Sequence, residues 1–251
     1  MKERFTLPEC TIEYDRYGEG APMVLLHPSS GVRVTRAVKA LRQQFTVYQP
    51  ILPGFDGTTA PGGMLSVRRL AAWVAAFLSK IPGTPAIVVG HSFGGWIATW
   101  VALDRPDLVE SLVLQSPLGF GPLATASATA TPSEVLARTY THPEKRLPDM
   151  RPEEMLGHNR ALARRYGKER TVDAELMEQL PSLGVPTLVI YGENDGLIQL
   201  AGLEAMVSHS TASTLRIVKD AAHHVESDQP EQYVELIARF VAQHSRTHLG
   251  A

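Results

Sequence analysis

The sequence predicts an α/β fold with a mostly parallel, doubly wound sheet and an inserted helical cap. Short apolar segments alternate with helical patterns along most of the 251 residues, which is typical of a parallel sheet covered by helices on both faces. The later predicted strands are β-branched and apolar at nearly every position, as strands buried on both faces are. The predicted strands span residues 11–17, 23–26, 45–48, 86–89, 111–114, 187–191 and 214–218.

Four helices are predicted between these strands, at residues 34–44, 67–79, 95–103 and 231–243. In the second of them, apolar side chains recur at three- and four-residue spacing and form one stripe along the helix. The stripe consists of Leu70, Trp73, Val74, Phe77 and Leu78. A single stripe of this kind indicates a helix that packs one face against the sheet.

Residues 118–180 interrupt this alternation. Helical patterns follow one another at residues 133–140, 152–166 and 173–179, between two predicted strands. We therefore predict a core formed by residues 1–117 and 181–251 and a helical cap formed by residues 118–180. The run of alanine, serine and threonine at residues 124–131 is predicted to form a mobile hinge or lid loop.

The composition argues against several classes of protein. The formal net charge is −2 and no lysine or arginine tract stands out, so neither nucleic acid nor an anionic membrane surface is an expected partner. The chain shows no apolar leader and no run of about eighteen apolar residues, which predicts a soluble, cytoplasmic protein. Its single cysteine, Cys10, allows no internal disulfide, and we interpret it as structural rather than reactive.

The segment from Gly90 to Gly95, Gly-His-Ser-Phe-Gly-Gly, lies between a predicted strand and a predicted helix. A serine at such a sharp turn has an exposed hydroxyl, and the N–H groups that follow it are free to bind an anion. Glycine at positions 90 and 94 leaves room for the tight turn and for close contact between helix and strand. Ser92 is therefore a candidate nucleophile, provided that a base and an orienting carboxylate lie nearby.

Candidates for the base and the acid follow two later strands. Glu193 and Asp195 come after the predicted strand at residues 187–191, and His223 and His224 come after the one at residues 214–218. Each candidate thus follows the carboxyl end of a strand, the edge at which open α/β sheets bind ligands. The order serine, acid, histidine is the one expected of α/β hydrolases. The loops alone leave open which carboxylate and which imidazole are used.

From about residue 12 to residue 240 the chain resembles the α/β-hydrolase superfamily. The resemblance is to its capped subgroup of serine esterases, lactonases, cofactor-free haloperoxidases and carbon–carbon-bond hydrolases. It is carried by His27 with residues 29–31, Pro50 with residues 52–55, residues 90–95, residues 192–195, and His223 with residues 228–231. The family's Gly-x-x-Asp pattern selects Asp195 over Glu193. Its histidine, about six residues before Gln-Pro-Glu, selects His223 over His224.

The resemblance also implies an oxyanion hole formed by two backbone N–H groups. One belongs to Phe93, directly after the nucleophile, and the other to Ser29, in the loop after the second predicted strand. The chain departs from the family at Pro28, where a glycine is usual, and proline has no N–H to donate. Trp96 lies one helical turn after Ser92 and is the candidate substrate-binding residue, with packing in the core as the alternative.

The resemblance implies cleavage of a carboxylic ester or lactone of a small molecule through a Ser-His-Asp triad and an acyl-enzyme. No cofactor is expected, and no grouping of residues has the spacing of a metal site. The alternatives are a carbon–carbon-bond hydrolase, a cofactor-free perhydrolase and a non-catalytic ligand receptor on the same fold. The cap arginines give the only reason for the first alternative, which requires a second carboxylate-binding patch; they are Arg160, Arg164, Arg165 and Arg170, with Lys168 beside them. A homodimer is compatible with the sequence.

Overall fold

The structure of the protein is a computed structural model that describes residues 2–124 and 132–244. The strands of its sheet are β1 (Glu3–Thr6), β2 (Thr11–Tyr17), β3 (Ala21–Leu26), β4 (Phe45–Ile51), β5 (Ala86–His91), β6 (Val109–Gln115), β7 (Thr187–Gly192) and β8 (Ser213–Val218). Their order across the sheet is β1-β2-β4-β3-β5-β6-β7-β8. The pairs β1–β2 and β2–β4 are antiparallel, and all pairs from β4 to β8 are parallel. The predicted fold class is confirmed.

Helices cover both faces of the sheet. The helices α2 (Val67–Leu78) and α3 (Phe93–Asp104) belong to one apolar core, and α1 (Arg36–Leu41) and α9 (Pro230–His244) belong to a second core on the other face. Two such cores explain why the central strands are apolar at consecutive positions. After β7 the chain also forms the helix α7 (Leu200–His209) and the single helical turn α8 (Val225–Asp228).

Three of the elements named above were missed by the sequence analysis: β1, α7 and the single turn α8. The edge strand β1 has four residues, three of them exposed, and too few positions for an alternating pattern to emerge. The helix α7 buries only Leu203 and Met206, which is too narrow an apolar stripe to stand out.

The segment between β6 and β7 is helical where the structure describes it. It contains α4 (Pro132–Thr139), α5 (Glu153–Tyr166) and α6 (Ala174–Gln179), within one residue of the three predicted helices at each end. Two hydrogen bonds join the helix α5 to the core loop after β4. Asn159 Nδ2 donates to Asp56 Oδ1 at 2.7 Å, and Asp56 N donates to Asn159 Oδ1 at 3.0 Å. Of the predicted hinge, residues 125–131 lie outside the described residues. Among the described helices none is long and apolar enough to cross a membrane.

The thiol of Cys10 lies in the turn between β1 and β2. Burial, and then the neighbouring Glu9 carboxylate, raise the pKa of this thiol to about 11. We expect iodoacetamide to alkylate Cys10 in the folded protein at pH 8 about a hundredfold more slowly than a thiol of ordinary pKa 9.0, since only the thiolate reacts. The rate should rise about tenfold per pH unit between pH 8 and 10. Mass spectrometry measures it, with the urea-unfolded chain as control; equal rates in both states would contradict the shift.

Candidate active site

Ser92 occupies a strained turn between β5 and α3. Its backbone has φ 53° and ψ −113°, a left-handed conformation that side-chain-bearing residues rarely adopt. A Cβ atom on Gly90 would lie 2.6 Å from the Gly94 oxygen, and one on Gly94 would lie 2.2 Å from the Leu26 oxygen. The two glycines therefore allow the turn and let it press against the end of β3. Ser92 is only 5% exposed, less than the sequence predicts, and its side chain makes no capping hydrogen bond to α3.

Asp195 and His223 form a buried pair at the same edge of the sheet. Asp195 follows β7, His223 follows β8, and His223 Nδ1 lies 2.9 Å from Asp195 Oδ2. The side chains are 0% and 4% exposed. The second carboxylate oxygen accepts the N–H groups of Leu197 and Ile198 at 2.8 and 3.0 Å. Asp195 is thus held in one orientation, as an orienting carboxylate must be.

The environment keeps Asp195 ionised. Burial acts to raise the pKa of this carboxyl, but the His223 imidazole and the N–H groups of Ile198 and Leu197 together outweigh it and lower the pKa. An ionised carboxylate beside Nδ1 stabilises the imidazolium form of a histidine and fixes its tautomer. Glu193, the other predicted candidate, is exposed and lies outside this pair.

Gly192 explains how the two loops come together. A Cβ atom at this position would lie 2.1 Å from the Ala222 oxygen, so any other residue would push the histidine loop away. Asn194 N donates to Ala221 O at 2.8 Å and joins the loops directly. The close approach of these two loops places Asp195 within hydrogen-bond distance of His223.

His223 also lies beside the turn that holds Ser92. Its ring is 4.8 Å, centroid to centroid, from that of His91, the residue before Ser92. The ring of His224 is equally close to that of His91, at 4.8 Å, but its Nδ1 lies 3.0 Å from Glu226 Oε1 and not beside Asp195, and Tyr140 stacks on it at 4.3 Å. The geometry thus supports His223 rather than His224 as the partner of Asp195.

The loop after β3 lies against the start of α3. Phe93 is the first residue of α3, where backbone N–H groups have no partner within the helix. His27 Nδ1 donates to Pro28 O at 2.8 Å, and its Nε2 accepts the N–H of Leu52 at 3.1 Å. His27 is therefore a neutral, structural residue that holds the loop carrying Ser29. Pro28 has no N–H to donate, but its carbonyl also accepts the N–H of Gly31 at 3.0 Å. Pro28 therefore stabilises the loop through its carbonyl alone.

Trp96 is placed by the structure in a buried contact with the cap. Its indole N–H donates to Asp173 Oδ2 at 2.7 Å, and that of Trp100 donates to the same oxygen at 2.9 Å. Asp173 also begins α6 by accepting the N–H of Leu176 at 3.3 Å. The cavity that Trp96 borders, of about 210 Å³, is not lined by Ser92. These contacts favour the packing alternative over the predicted contact with substrate.

The basic residues of the cap lie on an exposed surface. Arg160 pairs with Glu153, and Arg164 lies 3.8 Å from Glu169. Arg165, Lys168 and Arg170 are exposed as well. The exposure of the cluster and the carboxylates beside Arg160 and Arg164 favour a solvated surface over a carboxylate-binding patch, although Lys168 and Arg170 also line the cavity that Trp96 borders.

Asp228 is a positioning residue that the sequence analysis did not single out. It is fully buried, and its carboxylate accepts the N–H groups of Ala222 (2.8 Å), Thr141 (2.9 Å) and His142 (2.9 Å). Ala222 precedes His223, and residues 141–142 follow α4. The carboxylate therefore ties the histidine loop to the cap segment. The only clue in the sequence is its place five residues after the histidine, before Gln-Pro-Glu.

Replacing Asp228 by Asn is expected to lower both stability and turnover. An amide presents an NH2 group to at least one of the three N–H donors, which should cost about 2–3 kcal/mol of the free energy of unfolding. Displacement of the His223 loop should lower kcat roughly ten- to hundredfold. Urea unfolding and ester turnover measure these effects, with the exposed Glu231→Gln as control. Unchanged unfolding and kcat in Asp228→Asn would show that the three bonds do not position the loop.

The fold and these loops define an α/β hydrolase. A sequence model of the alpha/beta hydrolase family matches residues 23–236. The chain belongs to this family and is a hydrolase.

Three similar proteins share 18–26% of their residues with this chain. The chain is 26% identical over 258 residues to a pimeloyl-[acyl-carrier protein] methyl ester esterase of Aeromonas hydrophila, covering 92% of this chain and 99% of that one. It shares its fold with Est816, an N-acyl homoserine lactone degrading enzyme, at a TM-score of 0.73 and 22% identity, over 95% of this chain and 100% of that one. It likewise superimposes on a meta-cleavage product hydrolase, CumD, at a TM-score of 0.75 and 18% identity, over 96% and 98%.

Proposed function

We propose that this hydrolase cleaves a carboxylic ester or a lactone of a small molecule, with Ser92 as nucleophile, His223 as base and Asp195 as the orienting acid. The observation that carries the proposal is the buried 2.9 Å pair of His223 Nδ1 and Asp195 Oδ2 beside the strained turn of Ser92. That pairing leaves Nε2 as the ring nitrogen that can accept the serine proton.

In the proposed first step, Ser92 Oγ attacks the carbonyl carbon while its proton passes to His223 Nε2. The N–H groups of Phe93 and Ser29 donate to the developing oxyanion, each worth about 2.7–4 kcal/mol in transition-state stabilisation. The tetrahedral intermediate then collapses and expels the alcohol, which takes the proton from His223. An acyl group remains on Ser92 Oγ.

In the second step, a water molecule gives a proton to His223 Nε2 and attacks the acyl carbon. The second tetrahedral intermediate releases the carboxylic acid and returns the proton to Ser92. For a lactone, alcohol and acid leave as one molecule, because the ring joins them. The methyl ester esterase, at 26% identity, supports ester cleavage, while a 2-hydroxymuconate semialdehyde hydrolase of Pseudomonas putida is equally similar and keeps carbon–carbon-bond cleavage as the second candidate.

The test is an activity profile over p-nitrophenyl esters of increasing acyl length, with lactones and a dienoic diketone acid assayed beside them. We expect turnover of esters or lactones without added peroxide, lost in Ser92→Ala. Turnover of the diketone acid alone would replace the proposal with carbon–carbon-bond cleavage, and ester turnover only with peroxide would indicate a perhydrolase. Saturable binding of an ester without turnover would indicate a receptor.

A further inference from the structure

A second group of polar side chains lies buried behind the proposed triad. His91 belongs to the end of β5, and His224 and Glu226 belong to the loop and helical turn after β8. All three are buried, with exposed fractions of 7–8%. His91 Nε2 has no hydrogen-bond partner among the described residues, although it is inaccessible to solvent. An unpartnered buried nitrogen costs free energy unless a ligand satisfies it.

The three side chains have the chemistry of a zinc site. Two imidazoles and one carboxylate occur together as zinc ligands in proteins, with a fourth position for water. One ligand atom from each lies within 4.8 Å of the others. Bonds of about 2.0–2.2 Å to a tetrahedral ion separate ligand atoms by roughly 3.3 Å. The group therefore needs to contract by at most about 1.5 Å (4.8 minus 3.3), and His224 Nδ1 and Glu226 Oε1 are already 3.0 Å apart.

Surrounding contacts hold these ligands in place. Gln115 Nε2 donates to Glu226 Oε2 and, at 3.0 Å, to the carbonyl of His223, so the carboxylate is oriented from behind. Tyr140 stacks on the His224 ring with an angle of 9° between the planes. Such outer contacts tune and fix metal ligands. A cavity of about 60 Å³ adjoins two of the three proposed ligands, His91 and Glu226, and has room for a water molecule bound to the ion.

The arginines near this group do not pair with its carboxylate among the described residues. Arg33 also lines the cavity, but its guanidinium lies 3.1 Å from Asp149 and bonds to Tyr140. Asp149 offsets this charge in part, since it also pairs with Arg151 at 2.8 Å, and a second cation, Arg146, lies over the Tyr140 ring at 4.7 Å. Glu226 has no arginine or lysine ion-pair partner among the described residues, so its negative charge is available to a cation.

We propose that His91, His224 and Glu226 bind one Zn²⁺ ion, which joins the turn of Ser92 to the loop of His223. His91 is next to Ser92 in the chain, and His224 is next to His223. A metal ion shared by the two segments acts as a cross-link between β5 and the last loop. It stabilises the folded chain, because the unfolded chain does not hold the three ligands together.

The test is zinc binding by the tag-free, chelator-treated full chain. Calorimetry with ZnCl2 should show one site, and thermal unfolding should shift upward by roughly 5–10 °C when free zinc exceeds Kd a hundredfold. Zinc X-ray absorption of the one-to-one complex should show two imidazole nitrogens and a carboxylate oxygen at about 2.0–2.2 Å. This spectrum reports on the wild type and does not depend on any variant folding.

Variants separate this site from its neighbours. Glu226→Gln and His91→Gln should each weaken zinc binding at least tenfold, with circular dichroism verifying the metal-free fold. His223→Ala should bind zinc as the wild type does, and so should His142→Gln, which removes a half-buried histidine flanked by Glu144 and Asp220. Absence of binding to the wild type, wild-type affinity in both ligand variants, or loss of binding in His223→Ala or His142→Gln would overturn the proposal.

Discussion

Ser92→Ala is expected to lower kcat for ester or lactone hydrolysis by roughly six orders of magnitude. The remaining rate is the one that substrate binding and the oxyanion hole provide without a nucleophile. The reason is that no other group at the turn can form the acyl-enzyme, while the N–H groups of Phe93 and Ser29 remain. The thermal midpoint should change little, since alanine meets the same backbone strain at φ 53° and the Ser92 side chain makes no capping hydrogen bond to α3. Single-turnover kinetics and differential scanning fluorimetry measure the two effects.

Ser111→Ala is the matched control. Ser111 is also buried, in β6, and its hydroxyl has no hydrogen-bond partner within the described structure. It pairs with Ile87, near the end of β5 opposite to Ser92. Its removal should leave kcat within twofold of the wild type. Retained turnover in Ser92→Ala, or an equal loss in Ser111→Ala, would refute the assignment of the nucleophile.

Asp195→Asn is expected to lower kcat by roughly four orders of magnitude. The amide retains the shape of the carboxylate, but it can present an N–H group to His223 Nδ1 and so favour the tautomer whose Nε2 carries the proton. That nitrogen then cannot accept the proton of Ser92. KM should change less than kcat, because the Asp195 side chain is fully buried and contacts His223 rather than solvent. Steady-state kinetics on the best ester of the substrate profile measures both constants.

Glu193→Gln is the control for charge. It removes a carboxylate two residues away in the same loop, but an exposed one, and should leave kcat nearly unchanged. The opposite pattern, activity lost in Glu193→Gln and kept in Asp195→Asn, would make Glu193 the acid. Equal, small effects of both variants would show that no carboxylate orients His223.

Much of the candidate site could be predicted because its determinants are local. The sequence from Gly90 to Gly95 imposes a turn whatever lies around it, since side chains at the glycine positions would collide with backbone atoms. The strand patterns placed Asp195 and His223 after parallel strands, and parallel strands end at one edge of a sheet. The predicted strands β2 to β8 overlap those observed, and the apolar runs of the central strands β4 to β7 reflect burial on both faces, whereas β2 and β8 are partly exposed.

Other features depended on contacts that no local pattern encodes. Trp96 could have faced either substrate or core, and what places it is Asp173, a residue of the cap. Asp228 binds three N–H groups from two separate segments, so its role is invisible until those segments meet. The grouping of His91, His224 and Glu226 could not be predicted from spacing along the chain, because its members lie at or after the ends of two different strands.

The amino-acid sequence by itself determined the α/β architecture, the turn that presents Ser92 and the order of nucleophile, acid and base. Periodicity, glycine sterics and strand direction act over a few neighbouring residues, so they can be recognised in the chain. Only the tertiary structure decided which ring meets Asp195, where Trp96 points and what surrounds His91. Those outcomes follow from the packing of distant segments, whose hydrogen bonds and close approaches exist only once the sheet has formed.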